Sequence, residues 1–284
     1  MLARLHEDLA EYWALVGPLY SADPVLHTVE LHVGARLRRT ASDPAVALIT
    51  LTDLGHLEGA AMVTGQGLLC NAIPMAGVTA TVSLLAKAAI RLPAVRGAPA
   101  VTLAVADTWV SMTGAAISDT TDERLYRLDH FQPPRVSGRP QPVAADAIEV
   151  MVPWSIEYSL ETFGVATSAA EARRWLAGSY QLGDVYLQWE HGGVPVAMAA
   201  CGRRSKGYRG SVRCTPRPRI GAAATAAPSR RRPARARQAG AQEIVLTTDL
   251  ANPTSNSIYR KLGFRAVVDS VIVEFAAPTA LRAP

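Results

Sequence analysis

The sequence predicts an α/β protein of two similar domains, each a mixed sheet with helices packed against it. Three observations carry this. Gln132–Ala145 (QPPRVSGRPQPVAA) holds four prolines and one glycine and reads as a linker that divides the 284 residues into halves of ordinary domain size. Helical and extended hydrophobic patterns follow one another in a similar order in both halves. Hydrophobic residues make up 49% of the chain and charged residues 19%, a globular and not a disordered composition.

In the first half, Leu2, Leu5, Leu9, Trp13 and Val16 recur at three- and four-residue spacing, which predicts an amphipathic helix. A second helix is expected over Pro24–Arg38, opened by Ser21 or Asp23 as N-cap. Ala45–Thr52 and Gly59–Thr64 read as strands around a turn at Asp53–Leu57, and Leu68–Ile73 as a third strand. Thr79–Ile90 reads as a helix, Ala100–Leu103 as a short strand before a helix through Trp109, and Asp122–Leu128 as a closing strand.

In the second half, Asp146–Phe163 reads as helical. Ser168 caps a helix over Ala169–Tyr180, with Glu171 completing a capping box. Val185–Glu190 and Val194–Cys201 form a hairpin across His191-Gly192-Gly193. Glu243–Thr248 is a strand, Pro253–Leu262 a helix, and Phe264–Val268 and Val271–Phe275 are strands. The expected division is a domain over 1–131, a linker over 132–145 and a domain over 146–284.

Several function classes are disfavoured. Cys70, Cys201 and Cys214 are odd in number and far apart, which argues against a disulfide framework or a zinc ribbon. The six histidines form no HExxH-type pair, so no metal is expected. Arg4, Glu7, Asp8 and Glu11 make the N-terminus unlike a secretory signal. The longest uncharged stretch, Gly59–Ala86, is broken by Gln66, Asn71 and Pro74, so no membrane span is expected and a cytoplasmic protein is the default. The net charge of +5 suggests nucleic acid, but 12 of the 29 basic residues lie in Arg203–Arg237, a stretch without a single acid. The remaining 17 face 24 acids, so the rest of the protein is acidic, and a nucleic-acid partner is disfavoured.

The stretch Glu243–Phe264 (EIVLTTDLANPTSNSIYRKLGF) carries the chemistry. Ile244–Leu246 suits a buried strand, Asn252 an N-cap, Pro253 the first helical position and Gly263 a left-handed C-cap. A short helix therefore follows a strand after a tight loop. Ser255, Asn256 and Tyr259 share one of its faces, which suits a polar ligand lying over the strand ends.

This stretch resembles the C-terminal motif of the GNAT superfamily of acetyl-CoA-dependent N-acetyltransferases, and the order of elements is similar to the GNAT fold. The resemblance implies tandem GNAT-like domains, the first degenerate and non-catalytic. It implies acetyl-CoA as co-substrate, no metal, and a small-molecule or peptide amine as acceptor. It makes Tyr259 the general acid for the leaving thiolate, and Asn252 and Asn256 contacts of the CoA arm. Glu190 is the candidate base, against its plainer reading as a hairpin charge, just as a tyrosine on a helix against a sheet is ordinarily a packing residue. Two other functions stay open: a catalytically dead acyl-CoA sensor or scaffold, and a polyanion binder acting through Arg203–Arg237. A homo-oligomer is also left open.

One departure stands out. The phosphate-holding glycine-rich loop of the family belongs between the strands at Val194 and Glu243, where this chain has the arginine–proline run 203–238. A disordered basic linker, an inserted polyanion-binding segment and a frameshifted stretch compete as readings of it. A synonymous back-translation from Arg213, read from the third base, gives Val-Tyr-Thr-Pro-Pro-Ala-His-Arg, and continuing through Gly221–Thr225 permits Gly-Arg-Gly-Tyr-Gly. Those are the residues the resemblance asks for at that strand and loop.

Overall fold

A computed structural model describes residues 1–38, 47–132, 137–163, 166–181, 184–201, 214–215 and 243–276. The run 203–238 lies outside the described residues apart from Cys214–Thr215. Along the first half the elements are β1 (Leu2–His6), α1 (Leu9–Ala22), α2 (Thr28–Leu37), β2 (Ala47–Asp53), β3 (His56–Thr64), β4 (Gly67–Leu69), α3 (Val78–Lys87), β5 (Ala94–Gly97), α4 (Pro99–Thr113) and β6 (Ile117–Leu128). Then come β7 (Arg139–Val143), α5 (Val152–Phe163), α6 (Ala169–Gln181), β8 (Val185–His191), β9 (Val194–Cys201), β10 (Cys214–Thr215), β11 (Val245–Asp249), α7 (Pro253–Lys261) and β12 (Phe264–Phe275). Among the described residues no helix is long and apolar enough to cross a membrane.

The chain forms two compact units. The first holds Met1–Arg124, Asp249–Ala251 and the chain from Val268; the second holds Leu125–Thr248 and Asn252–Val267. The chain thus passes from the first unit to the second within β6 and returns within β12.

In the first unit the sheet order is β1-β2-β3-β4-β5-β12-β6. The pairs from β1 to β4 are antiparallel, and so is β5–β12. The pair β4–β5 is parallel, with Leu68 opposite Val95 and Leu69 opposite Arg96. β2 is buried over Ala47–Leu51 on both faces, as a run of apolar residues with helices and sheet around it should be. Ile49, Leu51, Leu68, Val82, Leu85 and Val105 meet in one core. Cys70 joins it, and burial pushes its thiol up to about 12, so it stays protonated at neutral pH and packs as a small apolar residue.

The second unit contains the antiparallel sheet β7-β8-β9-β10, and it also holds β12 (264–267), β6 (125–128) and β11, which neighbour one another in that order in the other sheet. The edge strand β7 carries Pro140 and Pro142, which lack the N–H that a further strand would need. β8 and β9 are joined by Gly192 and Gly193, both at positive φ (58° and 80°), as a two-residue hairpin turn demands. The capping box of α6 is present: Ser168 N donates to Glu171 Oε2 at 2.8 Å, and Glu171 N donates to Ser168 Oγ at 3.3 Å.

Local sequence reading errs at five places. Leu2 and Leu5 do not extend α1. Residues 2–6 pair with β2, and Asp8 stops the helix short of them by capping it, its Oδ1 accepting from Ala10 N (2.6 Å) and Glu11 N (3.0 Å). α2 starts at Thr28 and not at Pro24, because Asp23 Oδ1 takes Val25 N and Leu26 N and holds 23–27 as a turn. The strand expected over Ala100–Leu103 is instead Ala94–Gly97, with Pro99 already in the first turn of α4. β12 is a single strand of 12 residues, and its polar middle is held by a bidentate pair from Arg124 to Asp269, Nη2 to Oδ2 at 2.8 Å. Arg139–Val143, inside the segment read as linker, is strand β7.

Candidate active site

The site is built around α7. Asn252 caps it with φ −98°, its Oδ1 accepting from Ser255 N at 2.9 Å, and Pro253 fills the first turn, where no N–H is needed. Arg260 and Lys261 sit in the last turn, where the helix dipole favours them. Gly263 then turns the chain into β12 at φ +92°. The apolar face of α7 supplies Ile258 and Tyr259, and its C-cap supplies Leu262, to a core with Tyr126, Leu128, Ile244, Leu246 and Phe264.

Three of the four candidate residues lie on this helix. Asn252 is exposed at its N-terminus. Tyr259 is 7% exposed, its ring edge-on to Phe264 with centroids 5.8 Å apart. Asn256 is 5% exposed, and its amide works inside the fold: Tyr126 Oη donates to Oδ1 at 2.8 Å, and Nδ2 donates to Asn252 O at 2.7 Å. Sequence reasoning missed Tyr126, which stands 130 residues away, so no local spacing signals it.

Glu190 sits elsewhere in the second unit, at the end of β8. Tyr186, Gln188 and Glu190 alternate along one face of β8, and Tyr186 packs with Met151, Leu176 and Met198. The Glu190 side chain is 18% exposed; Gln188 Nε2 donates to its Oε1 at 3.0 Å, and Arg139 Nε stands 3.6 Å from its Oε2. The register shifts by one residue between Trp189 and Glu190, a bulge that re-aims the strand end. Beside Glu190 the sequence gives no warning of two buried orphans, Tyr186 Oη and Gln188 Oε1, which have no hydrogen-bond partner. Ser179 stands near the Tyr186 phenol without meeting hydrogen-bond geometry, and burial pushes that phenol up to about 12.

Asn256 and Tyr126 support one another across the fold, which yields a measurable expectation. Asn256→Ala strands the buried Tyr126 hydroxyl and costs about 1–3 kcal/mol. Tyr126→Phe in the Asn256→Ala background removes that orphan, so the second change costs far less than it does alone. A double-mutant cycle from urea unfolding reads this, with a coupling of about 1 kcal/mol or more.

No protein-family profile and no curated protein matches the chain. Solved structures do match it over nearly its whole length. A GNAT-family acetyltransferase from Colwellia psychrerythraea aligns with 97% of this chain and 100% of its own, at a TM-score of 0.57 and 11% identity. A GCN5-related N-acetyltransferase from Sphaerobacter thermophilus aligns with 96% of this chain and 94% of its own, at 0.60 and 14%. The chain therefore has the GNAT fold, a mixed α/β architecture. Its arrangement is the tandem one: a tandem GNAT protein from the clavulanic acid biosynthesis pathway aligns with 98% of this chain and 99% of its own, at 0.57 and 13% identity. The likeness is one of fold.

The starts of α3 and α7 differ in how open they are. In the first, the turn after β4 enters α3 at Gly77, where an added Cβ would lie 2.9 Å from Met1 Sδ and 3.4 Å from Pro74 Cγ. The chain's own side chains thus cover the start of that helix. In the second, Asn252, Pro253 and Thr254 are exposed at the start of α7, and this end fits a polar ligand. Between the strands at Val194 and Glu243, where the sequence resemblance puts the phosphate loop, residues 202–213 and 216–242 lie outside the described residues.

Proposed function

We propose that the chain is an N-acetyltransferase, working at α7 of the second unit and taking acetyl-CoA as co-substrate. The observation that carries the reading is the Asn252-capped, Gly263-closed helix with Tyr259 on it, set beside strand β11 in a GNAT fold. Acetyl-CoA supplies an acetyl thioester, and an amine accepts the acetyl group. The C–S bond breaks as the N–C bond forms, the amine loses a proton and the departing sulfur gains one. Tyr259 holds the proton for that sulfur. Asn252 offers polar contact at the exposed helix end. Asn256 serves indirectly, since its amide fixes the first turn of α7 to Tyr126. Glu190, held by Gln188 and Arg139, is the candidate to take the amine proton through water.

The acceptor is a small or peptide amine. Incubating the full chain with acetyl-CoA and a panel of alkylamine, aminoglycoside, amino acid and peptide, while following thiol release and acetylated product by mass, tests the reading. The expected result is thiol release that depends on one class of amine. A second reading, an acyl-CoA binder without turnover, is favoured by one observation: the amide of Asn256 is engaged within the fold. Calorimetric binding of acetyl-CoA with no acetylated product across the panel would establish it.

A further inference from the structure

We propose that the first unit contains a binding site for a primary organic ammonium ion, formed by Glu30 and His27 and separate from α7. Glu30 is 1% exposed in the first turn of α2. One of its oxygens is satisfied: Oε1 accepts from Asn71 Nδ2 at 3.1 Å. The other, Oε2, is buried with no hydrogen-bond partner. The ring nitrogen facing it, His27 Nδ1, is 3.9 Å away, and it too is buried without a partner. Two polar atoms thus face each other across a gap too wide for a hydrogen bond.

Neither protonation of the pair closes that gap. A proton on Oε2 makes an O–H with no acceptor in reach, and a proton on Nδ1 makes an N–H with none. Buried polar groups are ordinarily satisfied, so an orphaned pair facing inward points to a missing third group. An N–H donor placed between them can stand about 2.9 Å from both, because the two atoms are 3.9 Å apart. The charge argument selects a cation over water. Among the described residues no lysine or arginine pairs with Glu30: Arg4 goes to Glu11, Arg96 to Glu123, and Arg38 lies over the Trp13 ring. The His27 ring nitrogen, at 3.9 Å, is too far to donate to the carboxylate, so a cation that brings its own N–H donors is what satisfies this buried oxygen directly.

The surroundings hold the acceptors in place. Asn71 is fixed by three contacts, since its Oδ1 accepts from Ala98 N at 3.0 Å and its Nδ2 also reaches Leu26 O at 3.4 Å. Backbone and side chain crowd there, because a Cβ on Gly97 would meet Asn71 Oδ1 at 2.9 Å. The Glu30 carboxylate is therefore preorganised. The Tyr20 ring lies 5.3 Å from the His27 ring, and Tyr20 and Tyr12 share a hydroxyl contact of 2.9 Å. Burial raises both phenols, which keeps them neutral beside the pair. The turn 23–27, with Pro24 exposed, carries His27 at its end. The two open acceptors, one carboxylate oxygen and one ring nitrogen, suit a cation that carries N–H donors.

The test is thermal unfolding of the full chain in methylammonium chloride, with sodium chloride and tetramethylammonium chloride at equal ionic strength. Methylammonium has N–H donors and tetramethylammonium has none. The expected result is a saturable rise in Tm of about 5 °C at a hundredfold excess of methylammonium over its Kd, and no such rise in the other two salts. Glu30→Gln removes the rise. Tyr259→Phe keeps it, which separates this site from the proposed acetyl-transfer site. Equal shifts in the three salts, or an undiminished methylammonium shift in Glu30→Gln, overturn the proposal. Should Glu30→Gln fail to fold, saturation transfer from the unaltered protein to methylammonium in excess tetramethylammonium decides: transfer supports the site, and its absence overturns it.

Discussion

Replacing Gly263 by alanine unfolds the corner between α7 and β12 and costs at least about 3 kcal/mol. The residue stands at φ +92°, a region where an L side chain is itself strained by about 1–2 kcal/mol. The larger part of the cost is steric. An added Cβ would sit 1.7 Å from His130 O and 2.8 Å from His130 C, atoms of the backbone that no rotamer change can move. That backbone is anchored in turn, since Asp129 N donates to Gly263 O and Gln132 N donates to Leu262 O, each at 3.0 Å. Relief of the clash therefore breaks hydrogen bonds on both sides. Urea unfolding reads the loss of stability, and amide exchange should show α7 losing protection before the β2–β3 hairpin does. An unfolding midpoint within 2 °C of the parent protein would remove this close approach from the account of the fold.

The same corner shows what the sequence makes legible. Asn252, Pro253 and Gly263 are local signals, each tied to the backbone position it occupies, and all three stand where their chemistry places them. The capping box of Ser168 and Glu171 and the double-glycine hairpin are of the same kind. Periodicity was weaker evidence, as Leu2 and Leu5 show: three-residue spacing suits a helix, yet the chain there gains more by pairing with β2. Long-range partners were illegible. Asn256 has no capping duty of its own, which made it look available to a ligand, but Tyr126 claims its amide from a strand 130 residues away. Likewise Glu30 carries no motif. Its interest lies in Asn71 and His27 meeting it inside the fold, a matter of tertiary geometry alone. Nor does any local pattern say that β6 and β12 each serve both units.

Tyr259→Phe lowers kcat by about 10²- to 10³-fold and leaves the KM for acetyl-CoA near its original value. The argument separates chemistry from packing. Phenylalanine keeps the ring against Phe264 and inside the cluster with Leu246 and Leu262, so the variant folds. Only the hydroxyl is lost, and the packing of the ring is kept. A proton donor acts on the departing sulfur only in the transition state, which is why kcat falls and binding does not. If Tyr259 is instead a packing residue of a non-catalytic binder, Tyr259→Phe is silent in every assay, while Tyr259→Ala costs about 3–5 kcal/mol by opening a cavity between α7 and β11. Kinetics and stability then answer different questions about one side chain. A large kinetic loss with a small stability loss places the proton chemistry at Tyr259, and the reverse pattern makes α7 a structural copy of a catalytic helix.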